Sequence, residues 1–229
     1  MILLLTPLKI EFTNLVQGLS KHLGLNPQDK TVAGLSVKFY DDSLAIVVGG
    51  HGKVQFALST LRLCLSLNPN LVICVGGAGD LTSAFKPGSV IVATETVEHD
   101  FKSQWSKNPL PKFPGDASAL EKIMHLVSTA NFKFSIHPAI VASGDEDITT
   151  PERAAQIRQL TNASAVGWEG AGGARSALMT QTPFLEIRSI TDDATPTASE
   201  DFKRNINEGM NNIAQVIAHL LLQRGVAAR

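Results

Sequence analysis

Short runs of mostly apolar residues, separated by segments of helical period, constrain the fold of this 229-residue chain more than any other feature. Four or five consecutive positions rich in Val, Ile and Leu are typical of a strand that is covered on both faces of a sheet. Six such runs occur, at residues 2–5, 44–48, 71–75, 90–93, 139–142 and 184–187. They predict a buried central sheet.

Segments with the 3.6-residue period of a helix lie between these runs. In residues 11–23 the apolar stripe consists of Phe12, Leu15, Val16 and Leu19. Helical patterns recur in residues 54–67, 168–179 and 202–223. A further helix is predicted at residues 151–160, with Thr150 as N-cap and Pro151 in the first helical position. Strands that alternate with helices predict a layered α/β domain, and we expect residues 1–229 to form one domain.

Residues 108–115 are the least regular stretch, because they contain three prolines. Regular patterns resume on both sides, so we expect a long loop within the domain rather than a linker. Trp105 lies in the wider segment 101–115. This segment either shapes a binding site, in its own or a neighbouring subunit, or forms a surface loop with a buried aromatic anchor.

Charge and cysteine content exclude several classes of protein. The net charge is −1 without a basic stripe, which argues against nucleic acid or an anionic membrane surface as a partner. Cys64 and Cys74 lie in apolar runs and are interpreted as buried thiols.

The apolar residues 1–5 are too few for a signal peptide and lack a basic start, and no run approaches the ~20 residues that span a bilayer. We therefore expect a cytoplasmic protein.

Two glycine clusters, at residues 49–53 and 76–80, suggest a close approach of backbone to a ligand. Neither completes a dinucleotide fingerprint or a Walker A motif, so tight turns between strand and helix are the alternative reading. The histidine spacings are not those of a zinc site, and no nucleophile elbow is present. We expect neither a metal nor an organic cofactor.

Three acidic residues occupy positions that folding alone does not favour. Glu11, Glu169 and Asp192 each follow a predicted buried strand, and open α/β sheets bind ligands at the carboxyl ends of strands. Each has a structural alternative: Glu11 as a first-turn acid, Asp192 as a helix cap, and Glu169 as an ion-pair partner of Arg175 or Arg188. Together the three acids favour a binding site.

The order of several motifs resembles that of the nucleoside phosphorylase/nucleosidase superfamily, nearly from end to end. Within it, the chain is most similar to 5′-methylthioadenosine/S-adenosylhomocysteine nucleosidase-like and futalosine hydrolase-like proteins. The motifs are Gly50-His51-Gly52-Lys53-Val54, Gly76-Gly77-Ala78-Gly79, Pro87-Gly88-Ser89-Val90, His99-Asp100, Ala142-Ser143-Gly144-Asp145, Trp168-Glu169-Gly170-Ala171 and Arg188-Ser189-Ile190-Thr191-Asp192.

The resemblance implies a three-layer α/β/α fold around a twisted mixed sheet, a homodimer or larger homo-oligomer, and a hydrolase that cleaves the N-glycosidic bond of a purine nucleoside. It implies that Glu169 binds the ribose hydroxyls and that Asp192 protonates the base. Glu11, with Arg188, would position and activate water. Asp192 would then need burial or a neighbouring acid such as Asp193, because a free aspartate has a pKa of ~3.9.

The chain differs from these proteins at several positions that, by the resemblance, contact the substrate. Asp147, followed by Ile148, stands where an aromatic residue stacks on the base, and Trp168 replaces a methionine beside the ribose. Gly167 replaces a glutamate. Gly77, followed by Ala78, replaces a serine. The substrate-binding set predicted from the sequence is Glu169, Trp168, Gly77, Ala78, Asp147 and Ile148.

Two other functions stay open at this point. One is phosphorolysis, for which Lys9 would have to replace the arginine of a phosphate-binding loop. The other is a non-catalytic nucleoside-binding protein on the same scaffold. The joint presence of the catalytic set Glu11, Arg188 and Asp192, together with Glu169, argues against the second.

Overall fold

A computed structural model describes residues 1–105 and 108–222, and this part of the chain forms ten strands and six helices. The strands are β1 Ile2–Thr6, β2 Gln28–Val32, β3 Leu35–Tyr40, β4 Leu44–Val48, β5 Leu71–Asp80, β6 Val90–Glu98, β7 Lys112–Pro114, β8 Ile136–Ser143, β9 Ala165–Gly167 and β10 Phe184–Asp192. The helices are α1 Lys9–Leu23, α2 Lys53–Leu67, α3 Ala117–Thr129, α4 Pro151–Thr161, α5 Gly170–Met179 and α6 Ala198–Leu222.

The ten strands form one mixed sheet that closes partly on itself. Strand β10 pairs in parallel with β5 and antiparallel with β6, while β8 and β9 complete the circuit back to β5. Strands β1 and β4 continue in parallel from β5, and the antiparallel hairpin β2–β3 forms the outer edge. One half of the molecule is therefore a ring of five strands and the other is an open wing.

Helices cover both faces of the sheet, which explains why its strands are apolar at consecutive positions. Ile2 and Leu4 of β1 belong to a core that also includes side chains of α1, α3 and α6. Leu3 and Leu5 point the other way, into a core with α2 and α5. Because neighbouring side chains of a strand face opposite sides, both sets must be apolar. The predicted three-layer fold with a mixed sheet is confirmed.

Most predicted elements are present, with shifted ends. All six apolar runs are strands, and Thr150 caps α4 by accepting a hydrogen bond from the Arg153 amide at 3.2 Å. The helix predicted from residue 168 begins only at Gly170, because Glu169 occupies its N-cap position. The predicted end of the last helix, Gln223, lies outside the described residues.

The expectation of a loop at residues 108–115 was wrong in part. Lys112–Pro114 form β7, which pairs antiparallel with β6 at its edge. Proline is tolerated in such a short edge strand because one side of its backbone needs no partner. Ser106 and Lys107, inside the segment 101–115, lie outside the described residues. Trp105 is almost fully exposed, at 99%, so it is not a buried anchor.

Candidate active site

A cavity of about 300 Å³ opens at the carboxyl ends of β1, β5 and β10. All nine site residues predicted from the sequence line it: Glu11, Gly77, Ala78, Asp147, Ile148, Trp168, Glu169, Arg188 and Asp192. These residues come from five separate parts of the chain, and the fold brings them to one place.

Parallel pairing accounts for part of this convergence. Strands β1 and β10 are both parallel to β5, so the residues after them reach the same edge as the Gly77 segment. Glu169 arrives by another route, because the short strand β9 before it runs antiparallel to β5. Its position depends on the β9–α5 junction, and the rule for parallel strand ends does not explain it.

Glu11 is both a helix cap and a wall of the cavity. It is 2% exposed and accepts hydrogen bonds from the Leu8 amide at 2.8 Å and from the Gly77 amide at 2.9 Å. Burial raises the pKa of Glu11 to about 7, against the opposing effects of the Gly77 amide and Arg188. A carboxyl group with this pKa gains and loses its proton near neutral pH, as a general base must.

The Arg188 guanidinium lies beneath the cavity and is 1% exposed. Its Nε donates to Glu186 Oε1 at 2.7 Å, its Nη1 donates to the Gly77 carbonyl at 3.2 Å, and its Nη2 lies 3.5 Å from Glu169 Oε2. Burial alone would lower the pKa of Arg188, but the surrounding acidic groups outweigh it and the pKa is raised. The cation is therefore permanent.

The Gly77 peptide connects Glu11 to Arg188, since its N–H donates to the carboxylate and its carbonyl accepts from the guanidinium. A Cβ at this position would lie 3.0 Å from the Phe202 ring and 3.1 Å from Thr191. The resemblance implies a serine at residue 77. Glycine at this position leaves room for the Phe202 ring to pack closely on the backbone.

Glu169 lies between a permanent cation and the turn that precedes α2. It is 2% exposed, and its Oε1 accepts from the Gly52 amide at 3.1 Å and lies 3.4 Å from His51 Nδ1. Burial raises the pKa of Glu169, while Arg188 and the Gly52 amide oppose this rise. Of the two ion-pair partners that the sequence offered, Arg188 is the observed one, because Arg175 pairs with Glu98 instead.

Asp192 is held in a turn at the end of β10. Its Oδ2 accepts from the Thr191 hydroxyl at 2.8 Å and its Oδ1 accepts from the Ala194 amide at 3.0 Å. Burial raises the pKa of Asp192 despite these two donors, and the neighbouring Asp193 and Asp147 raise it further. The carboxyl group therefore keeps its proton to a higher pH than a free aspartate does.

The rim of the cavity is more exposed than its floor. The Trp168 ring stacks on His51 with centroids 4.2 Å apart and planes inclined by 29°. Asp147 is exposed, whereas the adjacent Ile148 is buried. The rim thus combines a flat aromatic surface with a carboxylate.

Sequence reasoning missed three residues of this region. His51 was considered only as part of a glycine-rich turn, and Phe202 only as part of an amphipathic helix, yet both line the cavity. Glu186 lies in a strand and is completely buried beside Arg188. Its signal was available, because a lone acid within an apolar run requires a buried partner.

No group of three or more His, Cys, Asp or Glu side chains in residues 1–105 and 108–222 is arranged to hold a metal ion. In the same residues, no helix combines the length and the apolar character needed to cross a bilayer.

Comparisons with known proteins agree with one another. The model of the phosphorylase superfamily matches residues 2–222. A 5′-methylthioadenosine/S-adenosylhomocysteine nucleosidase from Colwellia psychrerythraea is 30% identical over 192 residues, which are 79% of this chain and 79% of that protein.

Two solved structures share the fold over nearly their whole length. Futalosine hydrolase from Helicobacter pylori superposes with a TM-score of 0.87 at 20% identity, covering 97% of this chain and 98% of that one. The 5′-methylthioadenosine/S-adenosylhomocysteine nucleosidase from S. pneumoniae, solved with a transition-state inhibitor, superposes with a TM-score of 0.82 at 26% identity. It covers 99% of this chain, which covers 98% of it.

Proposed function

The chain belongs to the phosphorylase superfamily, and from this membership we propose that it is a nucleosidase that hydrolyses the N-glycosidic bond of a purine nucleoside. The observation that carries the proposal is one cavity lined by Glu11, Arg188, Glu169 and Asp192. The substrate class is a 5′-modified adenosine or a nucleoside of the futalosine type, as acted on by the relatives named above.

The sugar side of the reaction uses the buried acids. Cleavage of the bond between C1′ and the base builds positive charge on the ribose. Glu169 binds the ribose hydroxyls, and its charge together with that of Glu11 favours the cationic sugar. Glu11, hydrogen-bonded to Gly77 and Leu8, accepts a proton from the attacking water.

The base side of the reaction uses Asp192. As the bond breaks, electrons move onto the purine, and the protonated Asp192 transfers its proton to a ring nitrogen. Burial favours this protonated form before the reaction. Phe202 lies against Gly77 and provides an aromatic face for the purine, a role that Asp147 cannot fill.

Hydrolysis is favoured over phosphorolysis by the charges of the cavity. Among its lining residues in the described part of the chain, Arg188 is the only Lys or Arg side chain. Its guanidinium already contacts Glu186, Glu169 and the Gly77 carbonyl. Lys9 is exposed and does not line the cavity. A phosphate dianion would therefore meet two buried acids and no free cation.

The test is a screen of adenosine, inosine, 5′-methylthioadenosine, S-adenosylhomocysteine and futalosine for release of free base, in phosphate and in phosphate-free buffer. The proposal expects release that does not depend on phosphate, with free ribose or its 5′-derivative as co-product. Formation of a ribose 1-phosphate in phosphate buffer only would show phosphorolysis. Binding without release of base would show a nucleoside-binding protein.

We also propose that the protein is a homodimer. Three large apolar side chains of α2, Val54, Leu58 and Leu65, are 72, 54 and 73% exposed and lie on one helix face. Leu178 and Met179 of α5, which packs against α2, are also exposed. Several large exposed apolar side chains on two packed helices are typical of a subunit interface.

Sedimentation tests the dimer. Leu58→Glu places a charge in the proposed interface and is expected to convert the dimer to monomer. Leu160→Glu is the matched control, since Leu160 is 63% exposed on α4, outside this surface, and its substitution should leave the mass unchanged. A wild-type protein that sediments as a monomer would refute the proposal.

We further propose that residues 1–229 form one domain, because the family match and the single sheet span nearly all of them. A cytoplasmic location is consistent with Cys64 and Cys74, which are both free and buried.

A further inference from the structure

Glu186 forms a second, deeper contact with Arg188, the buried arginine of the cavity. It lies two residues before Arg188 on β10, so both side chains leave the strand on the same face. Its Oε1 accepts from Arg188 Nε at 2.7 Å, and its Oε2 accepts from the Thr96 hydroxyl at 2.6 Å. Glu186 is 0% exposed, and each of its carboxylate oxygens has a donor.

Two glycines provide the space for this pair. A Cβ at Gly170 would collide with the Glu186 carboxylate, and a Cβ at Gly167 would lie 2.9 Å from Arg188 Cζ. The guanidinium therefore occupies the room that a side chain at residue 167 would need. The chain thus has glycine at residue 167 and an acid at residue 186, and both residues lie beside the Arg188 guanidinium.

We infer that Glu186 is a positioning residue for the proposed hydrolysis: it holds the Arg188 guanidinium in place and shares its positive charge, and so sets the pH at which Glu11 becomes a base. The inference rests on the proposed function. Glu186 lines no part of the cavity and touches no substrate, so it acts only through Arg188.

The charges around Arg188 decide the direction of the effect. The guanidinium faces Glu186 on its own strand, Cys74 on β5, Glu11 on α1 and Glu169 at the start of α5. Glu169 in turn faces His51. Three acidic side chains surround one cation and repel one another, so removal of the charge of Glu186 removes a repulsion while the attraction of Arg188 for the other two remains. Glu11 and Glu169 should then lose their protons at lower pH.

The test compares Glu186→Gln with the wild type. Glutamine has the same shape, its Oε1 can still accept from Arg188 Nε, and its amide can donate to the Thr96 hydroxyl. Release of base from 5′-methylthioadenosine, or from the fastest substrate of the screen, is measured as kcat/KM against pH. We expect the transition that Glu11 causes to move to lower pH and kcat to fall roughly tenfold at an unchanged KM. Superimposed profiles with equal kcat would overturn the inference.

Carboxyl ¹³C NMR of glutamate-labelled protein provides a readout that does not depend on activity. Glu11, assigned with Glu11→Gln, is expected to titrate near pH 7 in the wild type and at lower pH in Glu186→Gln. This measurement separates the two proposals. If the wild type releases no base, the proposed function fails, and the titration alone still decides whether Glu186 controls Glu11.

Glu98→Gln is the matched control. Glu98 is also buried, at 6% exposure, and lies on β6 as Thr96 does, but it pairs with Lys53 and Arg175. Its substitution should lower the melting temperature without moving the Glu11 titration, and an equal shift in both variants would contradict a specific role of Glu186.

If Glu186→Gln does not fold, Glu186→Asp replaces it. Aspartate keeps the charge but withdraws the carboxylate from Nε by one methylene. A fall in kcat of about tenfold with unchanged KM supports the inference, and kcat within twofold of the wild type overturns it.

Discussion

The floor and the rim of the cavity differ in how strictly their side chains are held. Glu11, Glu169 and Arg188 are each at most 2% exposed, and all three are linked through short polar contacts. At the rim, Asp147 is exposed and His51 is 54% exposed, in contact with the Trp168 ring.

Because of this difference, we expect the floor to determine the rate of the reaction and the rim to determine which nucleoside binds. A buried group cannot change its charge or shape without affecting its neighbours, so substitutions in the floor should alter kcat. A rim group contacts mainly substrate and solvent, so its substitution should alter KM and the choice of nucleoside. Two departures from the resemblance, Asp147 and Trp168, lie at the rim, and two others, Gly77 and Gly167, lie beside Arg188.

The largest effect is expected for Asp192→Asn, which removes the proposed proton donor to the base. We expect kcat to fall by about 10³-fold, because general acid catalysis typically contributes 10²–10⁴-fold. A nucleoside should still bind, with a dissociation constant within about tenfold of the wild-type value, as measured by calorimetry. Undiminished release of base by this variant would contradict the assignment of Asp192 as the acid.

Glu11→Gln is expected to lower kcat by about 10²-fold, since it removes the proposed base that activates water. In the wild type, the pH profile should contain one transition at about pH 7, where Glu11 loses its proton, and a second transition where Asp192 loses its own. The residual activity of Glu11→Gln should lack the transition at about pH 7.

The same variant should separate stability from activity. Burial raises the pKa of Glu11 in the folded protein from 4.5 to about 7, so the folded state binds this proton more tightly than the unfolded state. The corresponding stability is present below pH 4.5 and is lost as the pH rises to about 7. At pH 8, Glu11→Gln should therefore be more stable to urea by roughly 1–3 kcal/mol. Equal stability of both proteins at pH 8 would show that the charge of Glu11 costs nothing.

Phe202→Leu tests the rim. Loss of an aromatic face beneath the purine should raise KM about tenfold, because stacking of a base on an aromatic ring is worth about 1–3 kcal/mol. We expect kcat to change less than threefold. A variant with a lower kcat and an unchanged KM would show that Phe202 acts with the floor residues, which would contradict the distinction between floor and rim.

Asp147→Asn should have the smallest effect. Asp147 contributes to the raised pKa of Asp192, after burial and Asp193, so its neutralisation should move the transition that Asp192 causes in the pH profile slightly to lower pH. Asp193→Asn, measured in parallel, should move it in the same direction and farther.

Local sequence patterns were sufficient for the elements that are apolar on both faces. Strands β1, β4, β5, β6, β8 and β10 were all predicted, because a strand buried between two helical layers must be apolar at every position. The polar strand β2, with sequence QDKTV, was missed, since it lies at the sheet edge and four of its five side chains are exposed. Helix α3 was missed as well.

The candidate site was predictable for a different reason. Glu11, Glu169 and Asp192 stood out because isolated acids follow buried strands, and the roles proposed for them come from the resemblance. Residues that approach the cavity from a helix face, as Phe202 does, have no comparable local signal.

The sequence by itself determined the alternation of strands and helices, the positions of the acids and the family. Only the tertiary structure decided which groups meet. Its long-range contacts join Gly77 to Glu11 and Arg188, place Trp168 on His51, and put Arg188 beside Glu186 in the space left by Gly167 and Gly170. Side-chain type and period are local properties of a chain, whereas charge balance and free volume depend on packing between segments that lie far apart in sequence.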